Sequence, residues 1–232
     1  SEENGYAINN GILAAVDFGI PQKRRRFVII GVKKKYTDEV ELPIAPKGAI
    51  STNVYDAIAD LEDLVPITTV EAKDAPGMCI GIKAREAVTK LKQLRNTSGL
   101  VYNHIVPKTG EEALARFKQL GQGQNFHDLP DTFKENTYTN VDRTQNTVYQ
   151  RLCYSAPSGT VINVRKSMWI HPTVDRVVSV REAARLQTFP DSFRFWGPKD
   201  AQYQQVGNAV PPMLAEAIAR QILSYIDKNN GR

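Results

Sequence analysis

Gln22, Arg24 and Arg26 stand at alternate positions in the run Pro21-Gln22-Lys23-Arg24-Arg25-Arg26. In an extended backbone alternate side chains share a face, so these three point one way and Lys23 and Arg25 the other. One such face can address a nucleotide while the other meets a phosphate backbone or a neighbouring element. A guanidinium suits either task, because it stays charged and presents its donors in a fixed fork. Seven of the thirteen residues from Lys23 to Lys35 are Lys or Arg, a density that fits a phosphate-binding edge. A solvated basic turn, or arginines that only pair with carboxylates inside the fold, would account for the same residues.

The other reactive residue types offer less. Cys79 follows Met78 in an apolar stretch and Cys153 follows Leu152. Both read as small packed residues, with neither metal-type pairing nor a disulfide framework. That usage suits a reducing compartment, and a cytoplasmic location is expected. His104, His127 and His171 are too scattered to suggest a metal site, so none is expected. Gly121 and Gly123 form a bare Gly-x-Gly after a helical pattern, which reads as a loop rather than a phosphate cradle.

These residues need elements to position them. The chain's 232 residues, 41% hydrophobic and 24% charged with a net charge of +5, allow one large domain or two modest ones. No apolar run approaches the length of a membrane span, so no membrane partner is expected. Phe27 to Val32 is a continuous apolar run of strand length, as in a parallel sheet covered on both faces. The residues before it read as a loop followed by Ile12 to Asp17, too few strands to build that sheet, so something that should cover this strand is missing. Beyond it the pattern is irregular. Helical spacing occurs over Ser51 to Leu64 and Ala84 to Leu94, and Thr109 and Glu112 have capping-box spacing before Leu114 and Phe117. Ser179 and Glu182 form another such pair, opening a helix that Pro190 should stop. A final helix follows Gly207-Asn208-Ala209-Val210-Pro211-Pro212, with Leu214, Ala217, Ile218, Ile222 and Tyr225 on one face.

Three blocks, in this order, carry a resemblance. Gly19-Ile20-Pro21-Gln22-Lys23-Arg24-Arg25-Arg26 is similar to the eighth motif of the DNA (cytosine-5) methyltransferases. Val180-Arg181-Glu182-Ala183-Ala184-Arg185-Leu186-Gln187-Thr188-Phe189-Pro190-Asp191 resembles the ninth, and Gln205-Val206-Gly207-Asn208-Ala209-Val210-Pro211-Pro212 the tenth. Looser echoes of the family's target recognition domain lie between them, at Asn103-His104, Leu129-Pro130, Arg151-Leu152, Thr160-Val161 and His171-Pro172.

The resemblance implies an α/β fold with an α+β insert, the C-terminal portion of a Rossmann-like methyltransferase domain plus a small target recognition domain. Residues 1–35 would supply late strands of the catalytic domain, 36–195 the recognition domain, and 196–232 a donor-pocket turn and a helix returning to the catalytic domain. Double-stranded DNA would be the partner, and the reaction the transfer of a methyl group from S-adenosylmethionine to C5 of a flipped cytosine. By the same resemblance Arg26 addresses the edge of that base and Arg24 supports its pocket. Gln22, Arg24, Arg26, Thr160 and Val161 contact DNA, and Arg181 and Glu182 brace the recognition domain. Capping alone would also explain Glu182. Gly207, Asn208 and Ala209 would meet the methyl donor, glycine by allowing close approach and Asn by offering polar groups at a helix start. A helix cap without a ligand would explain that turn too. The family's nucleophile sits in a Pro-Cys loop and its acid in a Glu-Asn-Val strand end. Neither cysteine qualifies, Glu3-Asn4-Gly5 lacks both the Val and a preceding strand, and Glu135-Asn136-Thr137 lies within the insert. The chain is therefore expected to need an N-terminal methyltransferase half or subunit and to be inactive alone. Two other readings remain open: a non-catalytic DNA-binding protein built on that fold, and a single-strand binder using Tyr102, Phe126 and Tyr149.

Overall fold

The computed structural model describes residues 5–48, 50–69, 90–95, 100–135, 144–162 and 166–230. Strands β1 (Tyr6–Ala14) and β2 (Arg25–Lys33) pair antiparallel, with Tyr6 opposite Lys33 and Ala14 opposite Arg25. The apolar run is thus a strand, but the parallel sheet covered on both faces is not what forms. The segment read as a loop supplies β1, and the outer face of the pair stays open. On the inner face Ala7, Leu13, Val28, Ile30 and Val32 pack with Val40, Leu42 and the last helix. A tight 3-10 turn, Ala15–Phe18, links the strands and ends at Gly19, whose φ of 73° suits glycine.

The central core joins three short helices. α1 (Val54–Ile58) starts at a reciprocal Asn53–Asp56 cap. After it, α2 (Glu111–Phe117) begins at Gly110 with no side-chain cap, so the expected Thr109–Glu112 box does not form. Glu112 instead approaches Arg116 on the next turn, at 3.7 Å. Phe117 packs with Leu120, Phe126, Leu129, Tyr149 and Ile170 in a second core, beside the single turn α3 (Asp131–Lys134). α4 (Val180–Leu186) carries the expected Ser179–Glu182 box. It ends before Pro190, because Thr188 turns left-handed at φ 63°. α5 (Lys199–Asn208) packs on α4, and residues of both share the central core with Val54, Leu152, Val161 and Trp169. α6 (Pro212–Asn230) then returns to the hairpin, where Leu214, Ile218 and Ile222 cover its inner face. Of the helix expected over Ala84 to Leu94, residues 84–89 lie outside the described residues, and Lys92–Leu94 form a 3-10 turn. Among the described residues no helix is long and apolar enough to cross a membrane.

Candidate functional site

The link between β1 and β2 lies along the segment 158–161. Gln22 bridges Ser158 in parallel, the Lys23 amide donates to the Ser158 carbonyl at 2.8 Å, and Thr160 Oγ1 donates to the Lys23 carbonyl at 2.9 Å. Gln22 is fully buried. Its Oε1 accepts from the Val161 amide at 2.9 Å, and its Nε2 donates to the Leu186 carbonyl at the end of α4 at 3.3 Å. Arg24, also buried, donates to the Val161 carbonyl at 2.6 Å and the Gly207 carbonyl at 3.1 Å. Two side chains therefore tie all three sequence blocks to the Thr160-Val161 segment. Two carbonyl oxygens accept from the Arg24 Nη atoms, while its Nε is buried without a partner among the described residues.

Arg26 differs from its neighbour. It lies on the inner-face register of β2 opposite Leu13 but is only half-buried, and its Nη1 bonds the adjacent Arg25 carbonyl at 3.1 Å. Its remaining guanidinium donors are free of protein partners among the described residues. Alternation along the segment is as expected, with Gln22, Arg24 and Arg26 more buried than Lys23 and Arg25. The buried Arg24, however, is a strut between backbone segments.

Close approach does occur at Gly207, and it is to protein. A Cβ built there would fall inside the Ile162 carbonyl. Gly207 and Asn208 form the last residues of α5, which corrects the expectation of a helix start. Gln187 Nε2 donates to the Val206 carbonyl just before them. Asn208 is exposed, with its Oδ1 accepting from Gln204 at 2.7 Å. Its amide NH2 remains available as a donor, and Ala209 beside it is half-buried.

Behind these segments α4 carries a buried ionic frame. Glu182 takes both ends of the Arg176 fork, at 2.7 and 2.6 Å, and accepts from the Ser179 amide at 2.7 Å. Burial works to raise the Glu182 carboxyl, but the Arg176 guanidinium overrides it and holds it well below the usual carboxylate range. Arg181 donates to the carbonyls of Tyr102, Pro190 and Phe193, and burial lowers its pKa to about 10. Arg185 forks onto Asp191 at 2.8 and 2.7 Å and reaches Asp60 at 2.6 Å. Sequence reasoning did not single out Arg185, Asp191, Asp60 or Arg176. Arg185 and Asp191 were legible in the ninth block, but the distant Asp60 had no signal. A cleft of about 270 Å³ opens beside Thr160, lined among others by Gln145, Ile162, Lys166 and Trp169.

A profile of the C-5 cytosine-specific DNA methylase family matches residues 1–224. The chain belongs to this family. The Type II methyltransferase M.DdeI of Desulfomicrobium norvegicum is 30% identical over 241 residues, covering 97% of this chain and 56% of M.DdeI. M.XorII of Xanthomonas oryzae pv. oryzae is 30% identical over 235 residues, covering 98% of this chain and 53% of M.XorII. The chain thus spans about half the length of these curated relatives. In fold it resembles the crystal structure of a putative DNA modification methyltransferase encoded within an Escherichia coli prophage. That match has a TM-score of 0.74 at 23% identity, over 97% of this chain and 62% of that one.

Cys153 is half-exposed rather than packed away, with its Sγ 3.2 Å from Ser155 Oγ. It follows Leu152 and shares no hydrogen bond with Arg24 or Arg26. Cys79 lies outside the described residues. Among the described residues no group of His, Cys, Asp and Glu could hold a metal. His104 and His171 are buried side chains of the frame: His104 accepts from Ser179 Oγ at 2.9 Å and donates through Nε2 to the Leu64 carbonyl at 2.9 Å.

Proposed function

We propose that this chain is the DNA-recognising part of a cytosine-5 methyltransferase, completed by an N-terminal half that brings the attacking thiolate and its acid. The observation that carries this reading is the convergence of Gln22 and Arg24 on Val161, Leu186 and Gly207. That junction joins the strand that carries Arg26, a recognition segment and a donor-side turn, the three parts that must be in register for base, duplex and methyl donor to meet. The hairpin and α6 then belong to the catalytic domain, and the middle of the chain to the recognition domain. Duplex DNA lies against Lys23, Arg25 and Thr160. The cleft beside Thr160 faces the major groove, whose donor and acceptor pattern distinguishes all four base pairs. Arg26 uses its free guanidinium donors to bind O2 of the extruded cytosine.

S-adenosylmethionine supplies the methyl group. Residues here fit one wall of its site. Gly207 is committed to Ile162 and Arg24, so the Asn208 amide and the Ala209 backbone are the groups left to meet the donor's amino-acid end. The test is methyl transfer from labelled S-adenosylmethionine to duplex DNA. The chain alone gives none, and supplying the N-terminal half restores it. Measurable turnover without that half overturns the reading, and DNA binding with no rescue favours a non-catalytic DNA-binding protein. In the restored enzyme Arg26→Ala lowers turnover by more than about tenfold, the scale of one well-placed charged contact. Near-normal activity removes its assigned role.

A further inference from the structure

We infer that Gln187 and Thr188, at the end of α4, are positioning residues for the methyl donor, because together they hold both ends of the donor-side turn. The inference rests on the proposed function, which puts the donor's amino-acid end at Asn208 and Ala209, and adds what keeps those residues in place. Gln187 Nε2 donates to the Val206 carbonyl, just before the turn. That carbonyl also accepts from the Ala209 amide at 3.3 Å, so the contact reaches a residue of the donor wall itself. At the other end Thr188 Oγ1 accepts from the Met213 amide at 3.3 Å and donates to the Gln187 carbonyl at 2.6 Å. Met213 lies in the first turn of α6, where amides have no intrahelical partner. Two adjacent residues thus grip the segment between Val206 and Met213 from both sides.

Neither residue is what its own site favours. α4 ends in a Schellman turn, with the Phe189 amide donating to the Ala184 carbonyl at 3.0 Å and the Thr188 amide to the Arg185 carbonyl at 2.9 Å. Thr188 is the left-handed residue of that turn, at φ 63°, a conformation that glycine adopts without strain and a β-branched residue does not. Such strain persists where surrounding contacts over-determine it, and it gathers at functional sites. Gln187 is fully buried, yet its Oε1 has no hydrogen-bond partner among the described residues. A buried acceptor left unpaired costs stability, and an apolar side chain of similar length avoids that cost. What glutamine and threonine add at these sites is a donor and an acceptor aimed at the turn. Arg24 and the Ile162 carbonyl hold Gly207. The grip of Gln187 and Thr188 sets the path of the chain on either side of it.

The test uses the complete methyltransferase, this chain with its N-terminal half. It measures the dissociation constant for S-adenosylmethionine by calorimetry, beside kcat and both KM values on unmethylated genomic duplex DNA. The wild-type complex is expected to bind the donor and to methylate. Gln187→Met keeps the volume and removes the amide, and Thr188→Gly removes the hydroxyl and relieves the strain. Thermal unfolding of both should therefore stay near wild type or rise. Each should weaken donor binding by about fivefold to tenfold, the scale of one lost hydrogen bond, and raise KM for the donor in step, while KM for DNA stays within about twofold. Thr188→Ser, which keeps the hydroxyl, should bind the donor as wild type does. A role confined to ending α4 and capping α6 moves the unfolding midpoint and not the donor constant. That result overturns the inference and leaves the proposed function standing. Donor and DNA constants that worsen together also overturn it, since they report general loosening, and so does a serine variant as weak as the glycine one. A wild-type complex that neither binds the donor nor methylates DNA overturns both.

Discussion

Two arginines two residues apart are set by their surroundings to opposite tasks. Arg24 is withdrawn from solvent and donates to the carbonyls of Val161 and Gly207, whereas Arg26 keeps most of its donors unspent. Their substitutions should separate accordingly. Arg24→Ala strands two buried carbonyls, each costing about 1–3 kcal/mol, and leaves a cavity besides. Arg26→Ala, at a half-buried position with a single bond to a neighbouring carbonyl, should change stability by under about 1 kcal/mol. Chemical denaturation of the two variants checks this, and equal losses would show that Arg26 is structural as well. The chain's alternating pattern made the shared face of these residues legible. It could not show that Arg24 would be buried, because Val161 and Gly207 lie far along the chain and their carbonyls leave no trace in side-chain type.

At the level of elements, α4 holds the frame together through both its cap and its charges. A cap by itself predicts that Glu182→Gln is nearly neutral, since Gln completes a capping box as Glu does. The Arg176 fork predicts otherwise. Removing the carboxylate leaves a largely buried guanidinium without its counter-charge, a change that typically costs 3–5 kcal/mol. Ser179→Ala should cost about 1 kcal/mol as a lost cap, and somewhat more because His104 loses its hydroxyl donor. Thermal melts that rank Glu182→Gln as milder than Ser179→Ala would return Glu182 to a capping role. This helix was readable from its sequence because its signals are local. β1 was not, since Asn9-Asn10-Gly11 has the composition of a turn. It is a strand because tertiary contacts override that preference. Asn9 donates to the Val40 carbonyl at 2.8 Å, and a side chain at Gly11 would stand 2.6 Å from Leu42 Cδ1. The end of α4 was likewise misassigned to Pro190, when a buried left-handed Thr188 makes the turn first.

Across the whole molecule the buried ionic frame links stability to pH in two successive, partly overlapping windows. Burial lowers His171 from 6.5 to about 4, against the attraction of Glu182, whose Oε1 lies 3.7 Å from its Nε2. His104 is lowered for the same first reason. A histidine whose folded pKa lies below its unfolded value binds its proton more readily when unfolded. Its neutral form therefore contributes full stability above about pH 6.5, and that contribution falls away as pH drops toward about 4. Glu182 and Asp191 are shifted downward from 4.5 and 3.8, so their contribution is intact above about those values and is lost as pH falls below them, overlapping the end of the histidine loss. The histidines thus control the first loss and the carboxylates the second. For His171 alone the change from pH 7 to pH 5 amounts to about 2 kcal/mol. Unfolding free energies at a series of pH values should show that decline between pH 7 and pH 5, above the range in which Glu182 and Asp191 lose most of theirs. His171→Gln should reduce it, leaving the slope due to His104. An unchanged slope in that variant would mean that His171 is accessible to protons in the folded protein, and that the frame is more open than its hydrogen bonds indicate.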